Sequence, residues 1–180
     1  MLGEVPFEIT SPAEAGISIN IAETGDTYEE NALLKAKAFA RVSKLLTLAD
    51  DSGLEIDALG GKPGIKSARF GGGNLSDQQR NELMLDTLKD VPLAKRTARF
   101  KCVIAISDAF GRNEICHGEC EGVIALSPAG SKHFGYDPIF YLPQFEKTMA
   151  ELPAEIKNSV SHRARAVEKA RVILENWSCM

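Results

Sequence analysis

The sequence predicts an α/β fold, a mixed β-sheet flanked by helices, and three features predict it. A helical pattern starts at Thr27, two extended runs between Thr97 and Leu126 form a hairpin, and an amphipathic helix closes the chain. The hairpin requires antiparallel neighbours, while the strand-helix-strand order before it favours parallel ones, which makes the sheet mixed. The 180 residues, 44% of them hydrophobic, are enough to bury the core of a single domain spanning 1–180.

Val5 to Ile9 reads as a short strand that leads into a loop reaching Ile21. Thr27-Tyr28-Glu29-Glu30 has the form of a capping box, and Ala32, Ala36, Phe39 and Ala40 recur at helical spacing to about Lys44. The apolar run Leu45 to Ala49 is expected to stop at Asp50-Asp51-Ser52-Gly53. An extended pattern resumes over Leu54 to Ala58, which places a carboxylate pair at a strand end. Leu59 to Gly73, with its glycine pairs and Pro63-Gly64, reads as a long loop, and Ser76-Asp77-Gln78-Gln79 caps a second helix to about Lys89. Thr97 to Asp108 and Glu114 to Leu126 are the hairpin strands, joined by Ala109 to Asn113. After the irregular segment Phe134 to Tyr141, Ser161 is positioned to cap a final helix with Val167, Ala170, Leu174 and Trp177 on one face.

A formal charge of -4 provides no global basic field, which argues against polymeric nucleic acid as the main ligand. An anionic ligand must therefore meet local positive charge. No apolar run approaches the roughly 18 residues of a membrane span, and the N-terminus lacks a basic segment followed by an apolar one. The chain reads as cytoplasmic, with no membrane partner. Cys102, Cys116, Cys120 and Cys179 lack the density of a disulfide scaffold. Cys116-His117 and Cys120 also fail as a zinc site, because strand residues four apart are separated by about 13 Å.

Three groups of residues carry potential chemistry. Adjacent carboxylates in Asp50-Asp51-Ser52-Gly53 can offer an oxygen ligand to a hard cation beside a phosphate, although the same residues also suit an ordinary turn. Glu23 is placed to join Asp51 around one magnesium ion; Glu30 competes for that role, but capping already accounts for it. Lys35, two turns into the first helix, would offset phosphate charge if that helix faces Asp51, and is otherwise a solvated surface lysine. In Phe134-Gly135-Tyr136-Asp137-Pro138 two aromatic faces can stack on a base and a carboxylate can accept from a ring N-H, while a core cluster is the plainer alternative. Lys157 and Ser161-His162-Arg163 place cations at a helix N-terminus against the dipole preference, as a ligand site would, with a solvated helix start as the plainer alternative.

In order, Glu23-Thr24-Gly25, Glu30-Asn31-Ala32, Lys35, Asp50-Asp51-Ser52-Gly53-Leu54, Pro63-Gly64, Ser67-Ala68-Arg69, Phe134 to Pro138 and Ser161-His162-Arg163 resemble the inosine triphosphate pyrophosphatase family, the XTP/dITP diphosphatases. The resemblance implies an elongated two-lobed fold with a substrate cleft, and magnesium-dependent hydrolysis of deaminated purine nucleoside triphosphates to monophosphate and pyrophosphate. It also implies a homodimer. By motif, Asp51 becomes the catalytic base and a metal ligand, and Glu23 the second ligand. Ser52 and Lys35 become triphosphate contacts, while Phe134, Gly135, Tyr136, Asp137, Lys157, His162 and Arg163 become the base pocket.

Two departures from the family pattern are visible. Family members ordinarily begin with a strand and a Thr/Ser-Gly-Asn-x-x-Lys phosphate loop, whereas Met1 falls about where the following helix should end. That departure motivates an alternative expectation, a catalytically impaired nucleotide-binding remnant. Lys132-His133 stands where the family usually has glycines, which changes the charge of the pocket rim. A phosphomonoesterase using Asp50 or Asp51 as nucleophile is a third reading, but the Asp-x-Asp spacing it needs is not evident.

Overall fold

The computed structural model describes residues 5–130 and 134–177; Lys132-His133 and Cys179 lie outside the described residues. Among the described residues six strands form one sheet in the order β2-β1-β3-β4-β5-β6. They are β1 (Thr47–Ile56), β2 (Lys62–Gly64), β3 (Thr97–Ser107), β4 (Asn113–Ile124), β5 (Phe140–Leu142) and β6 (Lys147–Thr148). The α-helices among the described residues are α1 (Tyr28–Ser43), α2 (Asp77–Thr87), α3 (Ala154–Val160) and α4 (His162–Glu175). The α/β class is as the sequence predicts. The described pairings β1–β2, β4–β5 and β5–β6 are antiparallel. Asp57 bonds Thr97 and Arg99 while Glu55 meets Lys101, so β1 and β3 also run in opposite directions. The parallel component expected of a mixed sheet is not among these described pairings.

Two compact units divide the chain, each with its own core. One comprises residues up to 52, 102–118 and those from 162 onward. Its core sets Cys102, Ile104, Ile106 and Cys116 of β3 and β4 against Ala166, Val167, Ala170 and Leu174 of α4, with Trp177 packed alongside. Val167, Ala170 and Leu174 recur every three or four positions on the face anticipated from the sequence, and Ala166 widens that apolar stripe. The other unit, 53–101 with 119–161, gathers Leu54, Ile56, Met84, Leu88, Phe100, Ile124 and Phe140.

Local chemistry sets the helix starts. Thr27 Oγ1 accepts from the Glu30 amide at 3.1 Å, but the Glu30 carboxylate turns back to the amide of Asp26 at 2.7 Å rather than to that of Thr27. The box is therefore displaced by one residue at its second bond. Ser76 and Gln79 close a complete capping box on α2.

Three expectations are corrected. Val5 to Ile9 forms no strand. The glycine-rich stretch 59–73 contains β2 and a 3-10 turn at Ser67–Arg69, and Ser67 Oγ fastens it by donating to Gly64 O at 2.6 Å and accepting from Leu54 N at 2.8 Å. Most important for function, β1 runs unbroken through Asp50-Asp51-Ser52-Gly53, so the carboxylate pair lies within a strand and not at its end.

Gly118 of β4 permits the close approach of α4: a Cβ there would stand 2.0 Å from the carbonyl oxygen of His162 and 2.5 Å from the amide of Ala166. Both are backbone atoms and cannot rotate aside. Gly118→Ala is therefore expected to cost about 3 kcal/mol, the upper end of overpacking penalties. A urea unfolding midpoint compared with wild type checks this.

Candidate active site

Because a strand alternates its side chains, neighbouring Asp50 and Asp51 face opposite ways and meet different cations. Asp51 is 8% exposed, and its Oδ1 accepts from Lys35 Nζ of α1 at 2.8 Å. The same ammonium donates to Glu23 Oε1 at 3.0 Å. One lysine thus holds together the two carboxylates that the sequence pairs around a cation. Asp51 Oδ2 is buried with no hydrogen-bond partner within 3.5 Å, although the Asn31 amide lies close enough to lower the proton affinity of that carboxyl slightly.

The Glu23 segment is fixed by a residue that sequence reading assigned no role. Asn31, 3% exposed, accepts from Gly25 N at 2.9 Å and donates to Gly25 O at 3.4 Å. Gly25 has no room for a side chain, since a Cβ would lie 2.6 Å from that of Glu30. A single buried amide on the face of Ala32, Ala36 and Ala40 was the available clue.

On the other face of β1, Asp50 Oδ2 receives Arg163 Nε at 3.1 Å and Nη2 at 2.8 Å, together with the Ser52 hydroxyl at 3.0 Å. Ser52 and Arg163, expected at phosphate and base respectively, are instead seen gathered on Asp50. His162 is buried at the first turn of α4. Ser161, anticipated as the cap of that helix, is extended and ends α3 by donating its amide to Lys157 O. Beside Asp50 and Ser52, burial pushes the Cys102 thiol up to about 11, so it stays neutral.

The two carboxyls are tuned in opposite directions. Burial and the nearby Glu23 charge raise Asp51 above its ordinary value, and the opposing pull of Lys35 does not cancel them. Burial also acts upward on Asp50, but Arg163 and Ser52 outweigh it and hold that carboxyl below the usual range. Lys35 itself is raised: desolvation works against its charge, yet its bonds to Asp51 and Glu23 prevail.

The second compact unit carries the aromatic segment. Phe134 is 63% exposed and presents an open ring face, with Lys157 Nζ 5.8 Å from its centroid. Tyr136 offers no such face. It is 4% exposed and its hydroxyl donates to Ser67 O at 2.9 Å, so it anchors the segment in the core instead of stacking on a ligand. Asp137 is also buried and forms an ion pair with Lys157. Between these residues, Gly135 donates its amide to Asp77 at 2.7 Å and accepts from Asn81 at 3.0 Å. Asp77 and Asn81 were not picked out from the sequence, because their partner lies more than fifty positions away.

Among the described residues no group of three or more His, Cys, Asp or Glu is arranged around a metal ion. The Glu23 and Asp51 pair nevertheless suits a hard cation. Two carboxylates already converge on one positive centre, and the unpartnered Oδ2 is a free oxygen donor. A divalent ion held by so few protein ligands would complete its shell from water and phosphate oxygens, the usual habit of magnesium.

The model of the Ham1 family matches residues 1–173. The chain belongs to the Ham1 family. A dITP/XTP pyrophosphatase of Desulforamulus reducens is 48% identical over 168 residues, covering 93% of this chain and 84% of that protein. The dITP/XTP pyrophosphatase of Bacillus subtilis is 46% identical over 169 residues, covering 94% and 85%. Among solved structures, a HAM1 protein from Coxiella burnetii is similar with a TM-score of 0.84 at 43% identity, over 90% of this chain and 83% of that one. The Staphylococcus aureus Ham1 protein gives 0.82 at 43% identity, over 88% and 82%. The family resemblance carried by the motifs therefore holds. No described helix is long and apolar enough to cross a membrane.

The Asp50 contact makes a measurable claim about pH. A carboxyl depressed in the folded state stabilises above its unfolded value, and that contribution is lost as pH falls through the folded value. In Arg163→Gln burial would act unopposed by the guanidinium. The stability gap between wild type and this variant is expected to be widest near neutrality and to close below about pH 4. Denaturant unfolding across that range checks it.

Proposed function

We propose that this chain hydrolyses dITP, ITP and XTP to the nucleoside monophosphate and pyrophosphate, with magnesium as cofactor. The reading rests above all on one observation: Glu23 and Asp51 converge on the Lys35 ammonium while Asp51 keeps a buried oxygen without a partner. The dITP/XTP pyrophosphatase names of relatives across most of the chain support it, and they favour an active enzyme over a nucleotide-binding remnant. A cytoplasmic homodimer acting on the free nucleotide pool is the setting proposed with it.

Glu23 and Asp51 would hold the ion. Magnesium, when bound, withdraws charge from the phosphates. Asp51, its proton affinity raised by burial, orients the attacking water and takes its proton. The oxygen of that water bonds to phosphorus, the anhydride between the α and β phosphates breaks, and pyrophosphate leaves with the electron pair. Lys35 neutralises phosphate charge, and Ser52, the further phosphate contact proposed, would have to turn its hydroxyl away from Asp50 to make it.

Phe134 supplies the stacking face for the purine, while Tyr136, Asp137 and Gly135 set where that face stands. Lys157, His162 and Arg163 are the donors proposed for the oxygen at purine position six. Adenine presents a donor at that position and would leave them unmatched, a mismatch worth up to several powers of ten in discrimination.

With dITP and magnesium, wild type is expected to release pyrophosphate and no orthophosphate, and chelation of the metal to stop it. Asp51→Asn should lower turnover by about a hundredfold to ten-thousandfold, the usual contribution of a positioned general base. Pyrophosphate release no greater than in this variant, measured by a coupled assay, would overturn the assignment.

A further inference from the structure

Helix α2 buries an unusual face for its position. Its inward residues are Arg80, Asn81 and Met84, the first two 6% exposed. An apolar side chain would serve a core better, since Asn81 Oδ1 is buried without a hydrogen-bond partner, and Arg80 Nε likewise. Stability alone does not account for these choices.

Their contacts do. Asp77 and Asn81 stand four residues apart, hence on one face of the helix, and between them they take both polar groups of Gly135. Arg80 Nη1 binds Asp77 Oδ1 at 2.8 Å, which leaves Oδ2 turned to the Gly135 amide. Gly135 lies in the left-handed region at φ +53, a conformation that most residues resist. On its two sides are exposed Phe134 and buried Tyr136, pointing to different fates from adjacent positions. The glycine is thus the joint at which the segment leaves the core and becomes an open aromatic face.

We infer that Asp77 and Asn81 are positioning residues for nucleobase recognition, gripping the Gly135 peptide so that the Phe134 ring is held ready for the purine. This rests on the proposed pyrophosphatase reading, and it adds α2 to the machinery of specificity. Neither side chain is among the residues proposed to meet the phosphates, so their effect is expected on base binding and discrimination and not on the hydrolytic step.

Asn81→Leu tests it, because leucine has nearly the shape of asparagine, cannot donate to Gly135 and removes the unpartnered oxygen. The expected result is a KM for dITP raised about tenfold, the scale of one lost hydrogen bond. Selectivity for dITP over dATP should fall, kcat should stay within about threefold, and the melting temperature should not drop. An unchanged KM and selectivity, or a lowered melting temperature with KM intact, overturns the positioning role while wild-type pyrophosphate release leaves the pyrophosphatase reading standing. Wild type that releases no pyrophosphate from dITP overturns both.

Discussion

The contact on which the site depends is the Lys35 ammonium shared between Glu23 and Asp51. Two carboxylates this close would repel each other, and a partly buried pair is poorly screened by solvent. A cation between them turns that repulsion into a reason for the Glu23 loop, helix α1 and strand β1 to meet. Asn31 and Gly25 then fix the loop by geometry rather than by charge.

Other cations, within each of the two units, also come with a partner. Arg163 has Asp50, Lys157 has Asp137, and Arg80 has Asp77. Partial burial of a lone guanidinium or ammonium is expensive, so each cation brings a counter-ion that also fixes its direction. Such pairs hold donors in orientation before any ligand comes, which reduces the ordering a bound nucleotide would otherwise have to impose.

The sequence revealed much of this and missed the rest for identifiable reasons. Helices α1, α2 and α4 and the β3–β4 hairpin were legible because their signals are local: capping residues, three-to-four periodicity and two extended runs about a short turn. Strand β1 was read as ending at Asp50 because Asp, Ser and Gly are turn residues by propensity, yet sheet pairing and the ion pairs on both faces override that preference. Glu23, Lys35 and Asp51, which the sequence groups on condition that α1 faces Asp51, do meet in the structure. For Phe134 and Tyr136 the sequence leaves stacking and core both open, because a chain of letters does not show which of two nearby aromatics is buried; the structure buries Tyr136. Asn31, Asp77 and Asn81 escaped notice since their meaning lies in backbone partners, and a backbone amide has no identity in a sequence.

The unbroken course of β1 has a consequence for how the site can change. Since pleating alone decides that Asp50 looks to Arg163 and Asp51 to Lys35, sliding the strand by a single position would exchange the two carboxylates and carry Ser52 across as well. Asp50 would then stand on the face of Lys35 and Asp51 on that of Arg163, each taking the proton affinity that its new surroundings impose. A substitution along this strand alters the contacts of one face, whereas insertion or deletion of one residue ahead of Asp50 would disturb those of both faces in the same stroke.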